Sequence, residues 1–279
     1  MNSLPNTFYN HFLRLFFNKK YQRIWPRPIT ENKLNTYFLF ILTLPNSGST
    51  ALAKLLDSSP FTGTLTNNAE GQWLIPGMCK EDRWNNNKYV DYKSVFSVWS
   101  TKTQRLLSKN PDLEVIIEKS PPNMMRIEKL IDFFSNYSLL ANNRNPYAYC
   151  ASLLYRYHDG ENLESFERLE KINDAALEWI SKSRTLKSAA IKFKIPVITY
   201  EDFCKSPASI ICNLNIPENV KNSINFDSNV LVKDYSAQKI ENKNEEQISK
   251  LTRSEIETVT TLLQPESTLL EYFGYSFIK

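Results

Sequence analysis

Hydrophobic and polar positions along this chain change from one regular pattern to another, and the clearest change lies near residue 45. Residues 37–44 form a continuous apolar and β-branched run, which is typical of a strand buried on both faces. Pro45 ends the run, because proline cannot donate a hydrogen bond to a central ladder. Small hydroxyl residues follow, and the apolar positions of 51–56 then recur at helical spacing. The pattern predicts a strand, a short loop and a helix in succession.

Further segments of both kinds follow in alternation. Strands are predicted at 115–117, 138–141 and 196–199, and helices at 124–134, 146–156, 163–193 and 251–263. Residues 62–64 are interpreted as a break in the chain, and 228–247 as a polar, turn-rich stretch. Because strands alternate with helices, we expect a single P-loop-like α/β domain with a mostly parallel central sheet and helices on both faces.

The N-terminal segment differs in charge from the rest of the chain. Residues 1–30 contain five basic residues and no acidic one. Their apolar side chains fall on one helical face, so residues 7–27 could lie on an anionic membrane surface or pack onto the chain's own domain. We therefore predict a basic extension at 1–34 and an α/β domain at 35–279.

Composition excludes several classes of function. The net charge of +4 suits small anions but provides no broad basic face for nucleic acid. The four cysteines lack CxxC spacing and are interpreted as reduced core residues, and two histidines are too few for histidine-based metal chemistry. No transmembrane run or signal peptide is recognised, so we expect a cytoplasmic protein.

The loop after the first strand is a candidate anion site. Gly48 lets the backbone approach a ligand closely, and the N–H groups of the first helical turn favour a phosphate. No lysine precedes Ser49 and Thr50, so the loop is not a Walker A loop and a P-loop phosphotransferase is a poor alternative. A serine-rich N-cap turn without a ligand remains the simpler alternative.

Two later strands also end in polar residues. Asn145 suits an N-cap and Pro146 the first helical position, so Arg144 and Ser152 could face one anion together. Alternatively, Arg144 pairs with a carboxylate and Ser152 is a solvated helix residue. Tryptophan, tyrosine and phenylalanine side chains between 73 and 99 could line an acceptor pocket, form a lid or simply pack a helix.

Three separated segments resemble sulfotransferases that use 3′-phosphoadenosine-5′-phosphosulfate (PAPS). The loop that resembles the 5′-phosphosulfate loop consists of Pro45, Asn46, Ser47, Gly48, Ser49 and Thr50. Arg144, followed eight residues later by Ser152, resembles the 3′-phosphate motif. Tyr200-Glu201-Asp202 resembles the Y-E-D segment near the nucleotide. The resemblance covers about residues 37–202 and implies that these loop residues, Arg144, Ser152 and Tyr200 bind PAPS, with no metal required.

The resemblance also implies a catalytic branch. Cytosolic aryl and steroid sulfotransferases place a histidine base two residues after a lysine, but here Pro121 follows Lys119 at that spacing. Carbohydrate and tyrosylprotein sulfotransferases use a glutamate just over twenty residues beyond the loop, where this chain has Glu70. The segment 118–121 is similar to their E-K-[ST]-P segment. Glu70 is therefore the expected base, and Lys119 the residue that approaches the sulfuryl group.

One position departs from the family pattern. Family loops usually carry lysine or arginine where this chain has Asn46, and that cation stabilises the departing phosphate. The resemblance implies transfer of a sulfuryl group from PAPS to a hydroxyl, most readily on a carbohydrate or glycolipid, with 3′-phosphoadenosine-5′-phosphate (PAP) as product. The alternative is a catalytically degenerate protein that binds PAPS or PAP.

Overall fold

Five parallel strands form the centre of the structure. The computed structural model describes residues 36–232 and 237–278. The strands of this part of the chain are β1 (Tyr37–Thr43), β2 (Thr62–Thr64), β3 (Val115–Glu118), β4 (Tyr137–Asn143) and β5 (Val197–Thr199). Their order in the sheet is β2-β3-β1-β4-β5, and every neighbouring pair is parallel.

Strand β1 lies at the centre because both of its faces are apolar. Phe38 and Phe40 belong to one hydrophobic cluster, whereas Leu39 and Ile41 belong to another on the opposite face. All four side chains are at most 1% exposed. This alternation is the period-two geometry of a strand, and the continuous apolar run supplies core residues to both sides of the sheet.

Helices cover both faces, as expected. The α-helices of the described residues are α1 (Ser49–Leu56), α2 (Tyr92–Leu107), α3 (Ile127–Phe133), α4 (Pro146–Tyr157), α5 (Ser165–Phe193), α6 (Tyr200–Lys205), α7 (Pro207–Cys212), α8 (Glu218–Asn222), α9 (Asn244–Ile248), α10 (Arg253–Leu263) and α11 (Ser267–Tyr272). Short 3₁₀ helices lie at Gly71–Leu74, Pro76–Met78, Glu81–Trp84, Pro121–Met125 and Gln264–Glu266. The α/β fold class is confirmed, and no described helix is both long and apolar enough to span a membrane.

Side chains at the helix ends explain where the main helices begin. The Asn145 carboxamide accepts hydrogen bonds from the next two free backbone N–H groups, and Pro146 is the first residue of α4. Thr252 and Glu255 form a capping box at the start of α10. The first start agrees with the sequence prediction, whereas the helix predicted at 251–263 begins two residues later, at Arg253.

Some element predictions were wrong. Residues 62–64 are not a break but strand β2, which pairs with Val115–Ile117 of β3. The predicted helix at 124–134 begins only at Ile127, because a 3₁₀ turn precedes it. Within the polar stretch 228–247, helix α9 was missed. The extension at 1–34 and its membrane contact at 7–27 lie outside the described residues.

The strand order reverses beside β1, and this places the loops that follow β1 and β4 next to each other. Asn142 of β4 donates from Nδ2 to the Ser47 carbonyl oxygen at 2.7 Å and to the Thr43 hydroxyl at 3.1 Å. Ligands of open α/β sheets bind in the crevice at such a reversal, outside the carboxyl ends of the strands. The topology therefore points to this edge as the site.

Candidate active site

At the centre of the loop between β1 and α1, only glycine fits the backbone conformation and the space available. Gly48 has φ +75°, and a Cβ atom there would lie 2.2 Å from Cδ2 of Tyr200. Gly48 is also the N-cap of α1, and no side chain caps this helix. The first-turn N–H groups are thus not satisfied by a serine cap, which argues against the simple N-cap alternative.

Asn46 is the polar side chain of this loop that most needs a partner. Its Oδ1 and Nδ2 atoms are buried and make no hydrogen bond with any described residue. The residue lines the same cavity as Gly48 and has φ +56°, a conformation that asparagine tolerates better than most residues. Because an unpaired buried amide costs free energy, a ligand oxygen or proton donor in the cavity would stabilise it.

Arg144 lies beside the loop and is held by neutral groups. Its Nη1 donates to the Asn46 carbonyl oxygen and its Nε to Oδ1 of Asn244, both at 2.9 Å. Its Cζ lies 4.5 Å from the centre of the Tyr200 ring. The guanidinium is therefore not neutralised by an ion pair within the described residues, contrary to the alternative of a paired Arg144. Burial lowers its pKa, which means that the charge is under-stabilised and favours an anionic ligand.

Ser152 and Tyr200 line the cavity together with Arg144. Ser152 of α4 is half-buried and lines the same cavity as Arg144. The Tyr200 hydroxyl donates to the Glu241 carbonyl oxygen at 2.8 Å and accepts from the Lys243 N–H at 3.1 Å. Tyr200 thus joins the glycine of the loop to the segment before α9.

Glu70 and Lys119 meet on the other side of the loop. Lys119 Nζ lies 2.5 Å from Oε1 of Glu70, and the other carboxylate oxygen accepts from Trp73 Nε1 at 2.7 Å and Gln72 Nε2 at 3.0 Å. Lys119 is 2% exposed and Glu70 9%. Both residues line the cavity, so a carboxylate and a cation are available together at its wall.

One cavity of about 1330 Å³ connects these groups. Single small-molecule sites usually span roughly 300–1,000 Å³, so it has room for a nucleotide and an acceptor. Trp73 and Trp84 line it beyond Glu70, whereas Tyr92 and Trp99 are core residues. Part of the aromatic stretch therefore lines the cavity, and part of it packs the core. Lys54, another basic residue near the loop, does not line the cavity and donates to Asn67 at 3.0 Å.

Sequence reasoning missed the network that orients Arg144. Asn244 bridges Arg144 and the Glu201 carboxylate, which also accepts from the Asn145 N–H at 3.0 Å and the Tyr275 hydroxyl at 3.1 Å. These residues are far apart in the chain, so no local pattern identifies them. Among the described residues, no cluster of histidine, cysteine or acidic side chains could hold a metal ion.

Comparison with known proteins shows the family and similar folds. The sequence model described as the Sulfotransferase family matches residues 39–214. The structure is similar to sulfotransferase STF9 from Mycobacterium avium, with a TM-score of 0.54, 14% identity, and coverage of 95% of this chain and 82% of that one. It is also similar to a sulfotransferase from Alicyclobacillus acidocaldarius, with a TM-score of 0.50, 14% identity, and coverage of 87% and 98%. No curated protein sequence matches the chain.

Proposed function

Because this chain belongs to the sulfotransferase family, we propose that it transfers the sulfuryl group of PAPS to a hydroxyl of a carbohydrate or glycolipid. The observation that carries the proposal is that Glu70 and Lys119 share one cavity with the 45–50 loop and Arg144. A proton acceptor, a cation and two anion-binding elements are the groups that this reaction needs.

The fit of the donor is supported by two features of the loop. The Asn46 amide is buried without a partner among the described residues, and the first-turn N–H groups that follow Gly48 have no side-chain cap. We expect the N–H groups of 47–50 and the hydroxyls of Ser49 and Thr50 to hold the 5′-phosphate. Arg144 and Ser152 would hold the 3′-phosphate, with Arg144 as the charged, fork-shaped donor.

PAPS is a substrate whose bond between sulfur and the 5′-phosphate oxygen breaks, so that the electron pair leaves with PAP. The acceptor hydroxyl oxygen forms the new bond to sulfur, and Glu70 takes its proton. Lys119 offsets negative charge on the sulfuryl oxygens in the transition state. Trp73 and Gln72 hold Oε2 of Glu70, which leaves the orientation of the carboxylate fixed.

The acceptor side has the character expected for a ring-shaped substrate. Trp73 donates to Glu70 at 2.7 Å, so an indole lies beside the proposed base. Trp84 lines the same cavity. Aromatic walls with a few polar groups suit a sugar, whose hydroxyls need hydrogen bonds and whose ring faces are apolar. We also keep the cytoplasm as the expected compartment, since all four cysteines are free.

The direct test is turnover of radiolabelled PAPS with pooled glycan, glycolipid and non-carbohydrate hydroxyl acceptors, together with calorimetry of PAP binding. Label transfer to a carbohydrate hydroxyl is the expected result. Transfer only to phenols, steroids or peptides would overturn the acceptor class. Tight PAP binding without transfer to any acceptor would favour the degenerate binding protein.

A further inference from the structure

Glu118 is a buried carboxylate that takes no part in the proposed chemistry. It is the last residue of β3 and is 0% exposed, and it does not line the cavity. Removing a carboxylate from water costs several kcal/mol unless hydrogen bonds compensate. The hydrogen-bond partners of Glu118 therefore indicate its role.

All the groups around Glu118 that bond to it are donors. Its Oε1 accepts from the Gly71 N–H at 2.8 Å, and both of its oxygens accept from the Ser120 N–H at 3.2 Å. The Ser120 hydroxyl and the Asn123 carboxamide also donate to it. Four neutral donors satisfy one carboxylate, and they come from the two loops that carry Glu70 and Lys119.

Two more hydrogen bonds join the same loops. The Lys119 N–H donates to the Ala69 carbonyl oxygen at 2.8 Å, and the Gln72 N–H to the Ser120 hydroxyl at 2.9 Å. With the bond from Gly71 to Glu118, they form what we call the loop clamp, between residues 69–72 and 118–120. The clamp holds the backbone on both sides of Glu70 and on both sides of Lys119.

The backbone within the clamp shows that this geometry is imposed. Ala69 directly precedes Glu70, has φ +58° and is 1% exposed. A non-glycine residue in the left-handed region costs about 1–2 kcal/mol. Such a conformation persists only where the surroundings fix it, and it is frequent at functional sites. Here the carbonyl of Ala69 is fixed by the Lys119 N–H.

We propose that Glu118 is a positioning residue, which fixes Glu70 and Lys119 relative to each other through the loop clamp. The proposal rests on the proposed function and deepens it, because misplacing a catalytic group by 1 Å can cost about 10²-fold in rate. The present hydrogen bonds favour a carboxylate at this position, since Gly71, Ser120 and Asn123 all donate to it. Glutamine would turn one acceptor atom into a donor that faces donors.

The first test compares Glu118→Gln with Glu114→Gln. Glu114 is a half-buried glutamate directly before β3 that accepts from Asn219, away from the cavity, so it is a matched control. We expect Glu118→Gln to lower kcat about 10²-fold while the Kd of PAP changes less than about twofold. Glu114→Gln should leave both unchanged. Equal losses of PAP affinity and kcat would show a general structural role, and an unchanged kcat would also overturn the proposal.

The second test needs no acceptor. Hydrogen exchange of the Gly71 and Gln72 amides in the PAP complex should be at least about tenfold faster in Glu118→Gln, because their acceptors are lost or displaced. If that variant does not fold, Ser120→Ala replaces it, since it removes the hydroxyl that links Glu118 to Gln72. Unchanged exchange in the folded variant overturns the clamp. If the wild type shows no turnover but amide exchange is faster in the variant, the proposed function is rejected. The loop clamp is then still supported.

Discussion

Lys119 Nζ lies 2.5 Å from Oε1 of Glu70, so the proposed base and the proposed sulfuryl-binding cation are in direct contact. Because the two side chains are buried together, removing either one leaves the other charge without its partner. Effects of substitutions at these two positions are therefore not expected to add. A double variant should lose less than the sum of the single losses in activation free energy.

Glu70→Gln tests the base. Glutamine keeps the shape and can still accept from Trp73, but it cannot take the acceptor proton. We expect kcat to fall by about 10²–10⁴ and the Kd of PAP to stay unchanged, measured by label transfer and calorimetry. Glu161→Gln, at an exposed turn, is the control. Wild-type turnover in folded Glu70→Gln would remove Glu70 from the mechanism.

Arg144→Ala tests recognition of the 3′-phosphate. Losing a hydrogen bond to a charged group should weaken PAP binding by about 1.5–3 kcal/mol. Adenosine 5′-phosphosulfate lacks that phosphate and should bind almost as before. The control is Arg184→Ala, because Arg184 forms an exposed ion pair with Glu266. Equal losses for both ligands in calorimetry would show that Arg144 does not read the 3′-phosphate.

The sequence predicted the centre of the fold and the succession of strand, loop and helix around residue 45, because both depend on local pattern. The run at 37–44 can be buried only at the centre of a sheet, and the loop follows directly. Strand β2 was missed since three residues, one of them glycine, carry no periodic signal. Asn244 was missed because its contact with Arg144 spans 100 residues and depends on the packing of α9.

Gly48→Ala tests the backbone of the loop between β1 and α1. The variant combines a left-handed conformation with a contact of 2.2 Å against the Tyr200 ring, so we expect a loss of about 2 kcal/mol or more in the free energy of unfolding. PAP affinity should fall as well, since the ring must move. Gly77→Ala is the matched control, because a Cβ there meets no atom within 4 Å. Equal urea midpoints for both variants would contradict the structure.

Glu118 predicts a pH dependence of stability. Burial raises the pKa of its carboxyl from 4.5 to about 7, against the opposing effect of its hydrogen bonds with Ser120 and Gly71, and the nearby Glu70 charge adds to the rise. The folded state then binds more protons than the unfolded state between these values, so stability decreases as pH rises. The contribution of Glu118 to the free energy of unfolding is fully present below about pH 4.5. It is lost as the pH rises through about 7, a change of about 3 kcal/mol.

Urea unfolding of the wild type and of Glu118→Gln from pH 4.5 to 8 measures this contribution. It is the difference between the two proteins in the slope of the free energy of unfolding against pH. Glu114→Gln is the control, because it removes a neighbouring glutamate and leaves Glu118 in place. The same slope in all three proteins would show that the Glu118 carboxyl has an ordinary pKa in the folded state.

Asn46→Lys, at the position where this chain departs from its family, decides how the missing loop cation is replaced. If Lys119 already supplies the positive charge, the new lysine should change kcat little, whereas Lys119→Met should lower it severely. If the chain is a weakened enzyme, the new charge should raise kcat more than PAPS affinity, because it acts mainly on charge that develops in the transition state. The φ of +56° at this position also predicts a loss of about 1 kcal/mol of stability for lysine.

We expect the first outcome, because Lys119 lies at the cavity wall in contact with Glu70. Values of kcat for Asn46→Lys, Lys119→Met and the double variant decide between the alternatives. In the double variant, the loop lysine should restore part of the activity that Lys119→Met loses, since either cation can offset charge at the same sulfuryl group. Full activity of Lys119→Met would contradict the assignment. Inactivity of every variant and of the wild type, with PAP still bound, would instead identify a binding protein.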